Sequence, residues 1–196
     1  QVIRNMKMEQ SEITNAIKAK VKLYHKDTVT QYQHLHQHPE LSFEEKSTSE
    51  YIEKRLNGWG IEYRSHIGGF GILACIKGQN PTSRTIALRA DMDALPITEQ
   101  NPVSFKSENE GVMHACGHDT HTASLLSAVR IINDLKDSFE GTILFIFQPG
   151  EEKHPGGASL MLKDGIFDTY KPDIIIGQHA YVDYPVGTVG FEAGVI

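Results

Sequence analysis

Three short apolar runs limit what this chain can fold into more than any other feature. Thr85–Ala90 reads Thr-Ile-Ala-Leu-Arg-Ala and ends in Asp91-Met92-Asp93. Thr142–Phe147 reads Thr-Ile-Leu-Phe-Ile-Phe and ends in Gln-Pro-Gly-Glu151-Glu152. Asp173–Gly177 reads Asp-Ile-Ile-Ile-Gly and ends in Gln178-His179. Runs this short and without polar alternation predict strands covered on both faces. Helical patterns lie between them, one over His118–Leu135 with Leu125, Leu126, Val129 and Ile132 on one face, another over Gly157–Lys163. Strands alternating with helices predict an α/β fold with helical layers on both sides of a sheet. In such sheets ligands gather beyond the carboxyl ends of the strands. Each of the three runs releases carboxylates or a histidine at that edge.

Upstream, Ile13, Ile17, Val21 and Tyr24 recur at helical spacing and predict a helix over 11–36, with lysines on its other faces. His34, His36 and His38 do not make a metal box, because alternate residues of a helix do not face one another. They read as a helix end stopped by Pro39. Ser42 followed by Glu45 predicts a capping box. It opens a second helix to about Leu56, closed by Asn57-Gly58. Ile61–His66 and Gly71–Lys77 read as strands, followed by a Gly-Gln-Asn-Pro turn.

Length and charge narrow the function classes. The 196 residues suffice for one substantial core or two small ones. A net charge of -6 argues against nucleic acid or an anionic membrane as partner. The longest apolar run, Ile143–Phe147, is too short to span a bilayer. No apolar region follows Arg4 and Lys7, so a signal peptide is not expected. Cys75 and Cys116 make no disulfide framework, and the cytoplasm is the expected location. The chain opens on Gln1, which leads us to expect an upstream start.

The stretch Val112–Ala123 packs His114, Cys116, His118, Asp119 and His121 into a few positions ahead of a helix. In an extended backbone His114, Cys116 and His118 project to one side. Cys-x-His then offers a thiolate and an imidazole to one borderline-soft ion such as zinc. A buried free cysteine beside histidines bonded to backbone carbonyls has the same text, so this stretch alone leaves both readings open. Asp91/Asp93, Cys116/His118, Glu151/Glu152 and His179 all fall at predicted strand ends or helix starts. That convergence favours a metal-dependent hydrolytic site.

Leu88–Pro96, Met113–Ala123, Gln148–Glu152 and Val186–Gly190, with His-Pro-Glu-Leu-Ser-Phe-Glu-Glu at 38–45, closely resemble one family. It is the aminoacylase/carboxypeptidase-like metallohydrolases, in the branch of hippurate hydrolases, N-acyl-amino-acid amidohydrolases and plant auxin-conjugate hydrolases. The resemblance runs from about Tyr32 to the last residue. It implies a three-layer α/β/α, zinc-exopeptidase-like catalytic domain with a central mixed sheet. Residues 31–196 are then its N-terminal part and 1–30 a helical extension. The implied activity is cleavage of the amide bond of N-acyl amino acids. A dipeptidase or carboxypeptidase on the same scaffold, or a non-catalytic binding or assembly module, is the alternative.

Carried over by position, Cys116, His118, Glu152 and His179 match the family's metal ligands, Glu151 its general base, and Asp93 its supporting aspartate. Asp91 stands where distant relatives carry a ligating His. His38, His114 and His121 belong to the motif text without matching ligand positions, and read as structural or supporting. If the backbone is extended at Glu151-Glu152, the two carboxylates point opposite ways. The resemblance also implies two divalent ions, Zn or Mn, with Ni or Co tolerated, and an N-acyl amino acid or dipeptide as small-molecule partner. In the family, the chain continues past Val-Gly-Thr-Val-Gly into a lid domain that often mediates homodimerisation, then returns with one more ligating His. Residues 1–196 alone are therefore expected to be inactive or nearly so, and to expose apolar surface that favours self-association.

Overall fold

Phe145 and Phe147 face one side of β4 (Thr142–Gln148) and Leu144 and Ile146 the other, and all four are buried. This alternation builds two cores from one strand. The computed structural model describes residues 10–191. Its sheet also contains β1 (Glu62–Ile67), β2 (Gly71–Lys77), β3 (Thr85–Asp91) and β5 (Ile174–Gly177), in the order β1-β2-β4-β3-β5. β1–β2 and β2–β4 are antiparallel; β4–β3 and β3–β5 are parallel. The sheet is mixed, as expected.

One core joins Phe145 and Phe147 to Ile72, Ala74 and Ile76 of β2, to Ile52 and Leu56 of α2 (Lys46–Gly58), and to Leu125, Leu126 and Val129 of α3 (His118–Asp134). The other joins Leu144 and Ile146 to Leu73, Cys75 and Ala87, and to Met161 of α4 (Gly157–Lys163). Helices therefore cover both faces. On α3 the expected face holds, with Ile132 partly buried against the same core, and Ile131 is buried outside that cluster.

Several local expectations fail for identifiable reasons. α1 runs from Gln10 to Gln37, but its predicted apolar stripe does not form a core, and Ile17 and Val21 are 40% and 49% exposed. Polar pairs instead hold α1 along α3: Lys20 on Asp134, Arg130 over the Tyr24 ring and on Asp27, and Thr28 on Ser127. Of the extension expected over 1–30, residues 1–9 lie outside the described residues. The capping box does not form, because Ser42 donates to Asp93 and Glu45 accepts from Phe43 and Gly150. Glu40 takes over that duty, accepting from the Ser47 and Thr48 amides at 3.0 and 2.7 Å. α2 extends through Asn57-Gly58, and the left-handed residue that follows is Gly60. Cover on both faces fails for β5. Among the described residues Ile174, Ile175 and Ile176 stay 42%, 51% and 53% exposed.

At its C-terminal end α1 contributes a buried charge. His36 Nδ1 meets Asp119 Oδ2 at 2.6 Å and Nε2 meets Glu99 Oε1 at 3.0 Å. With a carboxylate at each nitrogen the ring carries both protons. The bond to Asp119, opposed by burial and aided by Glu99, raises its pKa to about 9. Tyr32 and His114 complete the titratable surroundings.

The folded pKa lies above the unfolded value near 6.5, so this proton stabilises fully below about pH 6.5 and its contribution is lost as pH rises through about 9. Urea midpoints measured from pH 6 to 10 should fall across that window, and His36→Gln should flatten the fall. His36→Ala, which strands two buried carboxylates, should cost roughly 3–5 kcal/mol. A variant that keeps the wild-type pH profile contradicts the assignment.

Candidate metal centre

The parallel register fixes where the chemistry collects. Asp91 of β3 lies opposite Gln148 of β4, and Arg89 of β3 opposite Gly177 of β5. All three strands thus end at one rim. The residues that follow, Met92-Asp93, Pro149–Glu152 and Gln178-His179, leave from the same edge. α3 begins there too, because Gly117, at φ +86°, turns the chain into the helix that starts at His118. The predicted extended run across His114, Cys116 and His118 is therefore broken. Cys116 and His118 reach the rim, whereas His114 is buried, and neither of its ring nitrogens has a hydrogen-bond partner among the described residues. Burial draws its pKa down to about 4, so the ring is neutral.

Asp93 is the buried anchor of the rim. Its Oδ2 accepts from the Ser42 hydroxyl at 2.6 Å and the Glu152 amide at 3.0 Å. His118 Nδ1–H points between Asp93 O (3.0 Å) and Asp93 Oδ1 (3.2 Å). Burial pushes this carboxyl's pKa up, but His118, Ser42 and the Glu152 and Glu151 amides hold it at about 2. With Nδ1 committed, His118 presents Nε2, which is buried and has no hydrogen-bond partner among the described residues. Burial draws the pKa of His118 down, and the bond to Asp93 with the charges of Asp91, Asp93 and Glu152 raises it overall. The negative field that favours a proton on Nε2 favours a divalent cation there as well.

The surrounding donors suit such a cation. Cys116 Sγ lies 3.4 Å from His179 Nε2. Burial, then the nearby Glu152, and the charges of Asp91 and Glu151 push its thiol up to about 12. Donor atoms of Cys116, His118 and His179 fall within 4.8 Å of one another, as do those of His118, Glu151 and Glu152, and those of Asp91, His118 and His121. His118 is common to all three groups. Thiol, imidazole and carboxylate together match the donor set of zinc and its neighbours. Glu151 and Glu152 do not point opposite ways. The chain bends there, and an oxygen of each carboxylate lies within 4.8 Å of a His118 ring nitrogen and of the other.

The structure thus brings together Cys116, His118, Glu151, Glu152 and His179, with Asp93 beneath them. His38 stays outside, 3.8 Å from Glu108 at the far end of α1. Sequence reasoning missed Glu45. Its Oε1 accepts from the Gly150 amide at 2.7 Å and so pins the loop that carries both glutamates. Gly150 has φ +54°, and a Cβ there would lie 2.2 Å from the Phe43 ring. Only glycine fits that turn. The signal for Ser42 and Glu45 lay in the His38–Glu45 motif text.

A family model described as Peptidase family M20/M25/M40 matches residues 87–194. The chain is 44% identical over 168 residues to an N-acyl-L-amino acid amidohydrolase of Geobacillus stearothermophilus, covering 86% of this chain and 45% of that protein. It is 43% identical over 164 residues to thermostable carboxypeptidase 2 of Saccharolobus solfataricus, covering 83% and 41%. A solved Bacillus subtilis structure, described as a dinuclear metal-binding peptidase of the M20 family, superposes with a TM-score of 0.82 at 41% identity, covering 88% and 48%. The chain spans less than half the length of each of these proteins.

If Asp93 orients His118, Asp93→Ala should weaken Zn²⁺ binding by the whole protein about 10–100-fold. Competition titration against a chromophoric chelator measures this. Unchanged affinity would show that the unpartnered Nε2 is not a metal donor.

Proposed function

This chain belongs to peptidase family M20/M25/M40, and from that premise we propose that the whole protein is a metal-dependent amidohydrolase cleaving N-acyl amino acids. The observation that carries the proposal is the buried Nε2 of His118, without a hydrogen-bond partner among the described residues and set among a thiol, an imidazole and two carboxylates. Cys116, His118, Glu152 and His179 are the proposed ligands of two divalent ions, Zn or Mn, with Ni or Co compatible with the same donors. Ions held there would supply Lewis acidity toward a scissile carbonyl and lower the pKa of water.

The remaining work falls to the protein. Glu151 is the proposed general base, an exposed carboxylate on the open side of the cluster, which takes a proton from the attacking water and returns it to the leaving amine. Asp93 holds His118 in the tautomer that keeps Nε2 available. Glu45 and Asp93 both bond to the Gly150–Glu152 backbone and fix where the base stands. Residues 31–196 are proposed as the N-terminal part of the catalytic domain, with the lid and a homodimer contact supplied elsewhere in the protein. Among the described residues no helix is long and apolar enough to cross a membrane. The cytoplasm is the proposed location, on the ground that Cys75 and Cys116 are both free.

Likeness to a carboxypeptidase at 43% identity supports a second reading, in which the group on the acyl side is an aminoacyl residue. Purified whole protein assayed on N-acetyl, benzoyl and indole-acetyl amino acids beside dipeptides separates the two. Chelation should abolish turnover and added Zn²⁺ or Mn²⁺ restore it. Glu151→Gln should lower kcat about 10²–10⁴-fold with metal content unchanged. A Gln variant with wild-type kcat contradicts the assignment of the base.

A further inference from the structure

We propose that His121 is a positioning residue that fixes the location and tautomer of His179 through the Ala180 peptide. The inference rests on the reading of His179 as a metal ligand given above.

The chain of bonds begins in the sheet. Gln148 Oε1 accepts from Arg89 Nε at 2.9 Å, and Arg89 Nη1 donates to Asp91 Oδ2 at 2.6 Å. Asp91 Oδ1 lies 2.6 Å from His121 Nδ1. On the other side of the ring, the Ala180 amide donates to His121 Nε2 at 2.7 Å. An amide N–H can only donate, so Nε2 holds the lone pair and Nδ1 carries the proton given to Asp91. Both nitrogens of His121 are engaged, and it adds nothing to the ligand set. Asp91 and His121 are 1% and 2% exposed, so the relay is shielded from water.

Ala180 is held at its other end as well. Its carbonyl accepts from His179 Nδ1 at 2.7 Å. That bond puts the His179 proton on Nδ1 and leaves the Nε2 lone pair facing Cys116 Sγ, 3.4 Å away. Among the described residues, the Ala180–His121 bond and the Cys116–His179 contact are the hydrogen bonds tying 179–191 to the rest of the chain. Residues 178–191 are exposed throughout. An exposed segment carrying a ligand is thereby referenced to a buried carboxylate of the sheet.

Zn²⁺ titration of the whole protein against a chromophoric chelator, with hydrogen exchange of the segment around Ala180, tests this. His121→Phe keeps the ring's bulk and removes both bonds. It should weaken one of the two bound ions at least about tenfold and speed exchange at Ala180. His121→Gln keeps an acceptor for the Ala180 amide and should recover much of both, which a packing role alone would not predict. If the Phe variant does not fold, His121→Gln decides: Ala180 protection retained supports the tether, and protection lost overturns it. A Phe variant that binds both ions with wild-type affinity and unchanged exchange also overturns it. Wild-type protein that takes up no Zn²⁺ overturns instead the metallohydrolase reading beneath it.

Discussion

The rim of this sheet depends on the buried carboxylate of Asp93. Three stretches distant in sequence end on it: the Ser42 hydroxyl, the His118 ring at the start of α3, and the Glu152 amide after β4. A buried carboxylate is costly unless its oxygens are satisfied. Here each oxygen is, and the donors that satisfy it are the groups, or the backbone beside the groups, that shape the site. Satisfying one charge and assembling the centre are the same event.

The device recurs. Asp91 holds His121, and Asp119 with Glu99 holds His36. The three histidines differ in what their second nitrogen meets. For His36 it is another carboxylate, and the ring is a cation joining α1 to the N-terminus of α3. For His121 it is a backbone amide, and the ring is a neutral tether. For His118 no hydrogen-bond partner stands there among the described residues; carboxylate oxygens of Asp91 and Glu152 lie 3.7 and 3.9 Å away, and the nitrogen faces the thiol and glutamates. One pairing motif thus yields a structural histidine and the two histidines proposed as positioning residue and metal donor, according to the partner on the far side.

The sheet and the edge where the candidate donors collect were legible because β3 and β4 are apolar almost throughout and carry carboxylates at or just beyond their ends. Periodicity fixed α3 and α4 to within a residue or so of their observed ends. The stripe on α1 misled, because that helix is held to α3 by polar pairs that hydrophobic periodicity does not register. Ser42 and Glu45 match a capping box in spacing, but Asp93 and the Gly150 amide compete for the same side chains and win. Such competition is long-range, over 51 and 105 residues, and no local rule contains it. The extended backbone on which opposed directions for Glu151 and Glu152 depended is absent at 151–152, after Gly150 at positive φ. The relay through His121 needed the fold to show that Ala180 comes back to it.

Zn K-edge X-ray absorption on the metal-loaded whole protein tests the central claim most directly. A sulfur scatterer at about 2.3 Å and nitrogen or oxygen scatterers at about 2.0 Å are predicted, with the sulfur shell absent in Cys116→Ala. A loaded protein whose zinc sees no sulfur, or whose sulfur shell survives the loss of Cys116, would contradict the account.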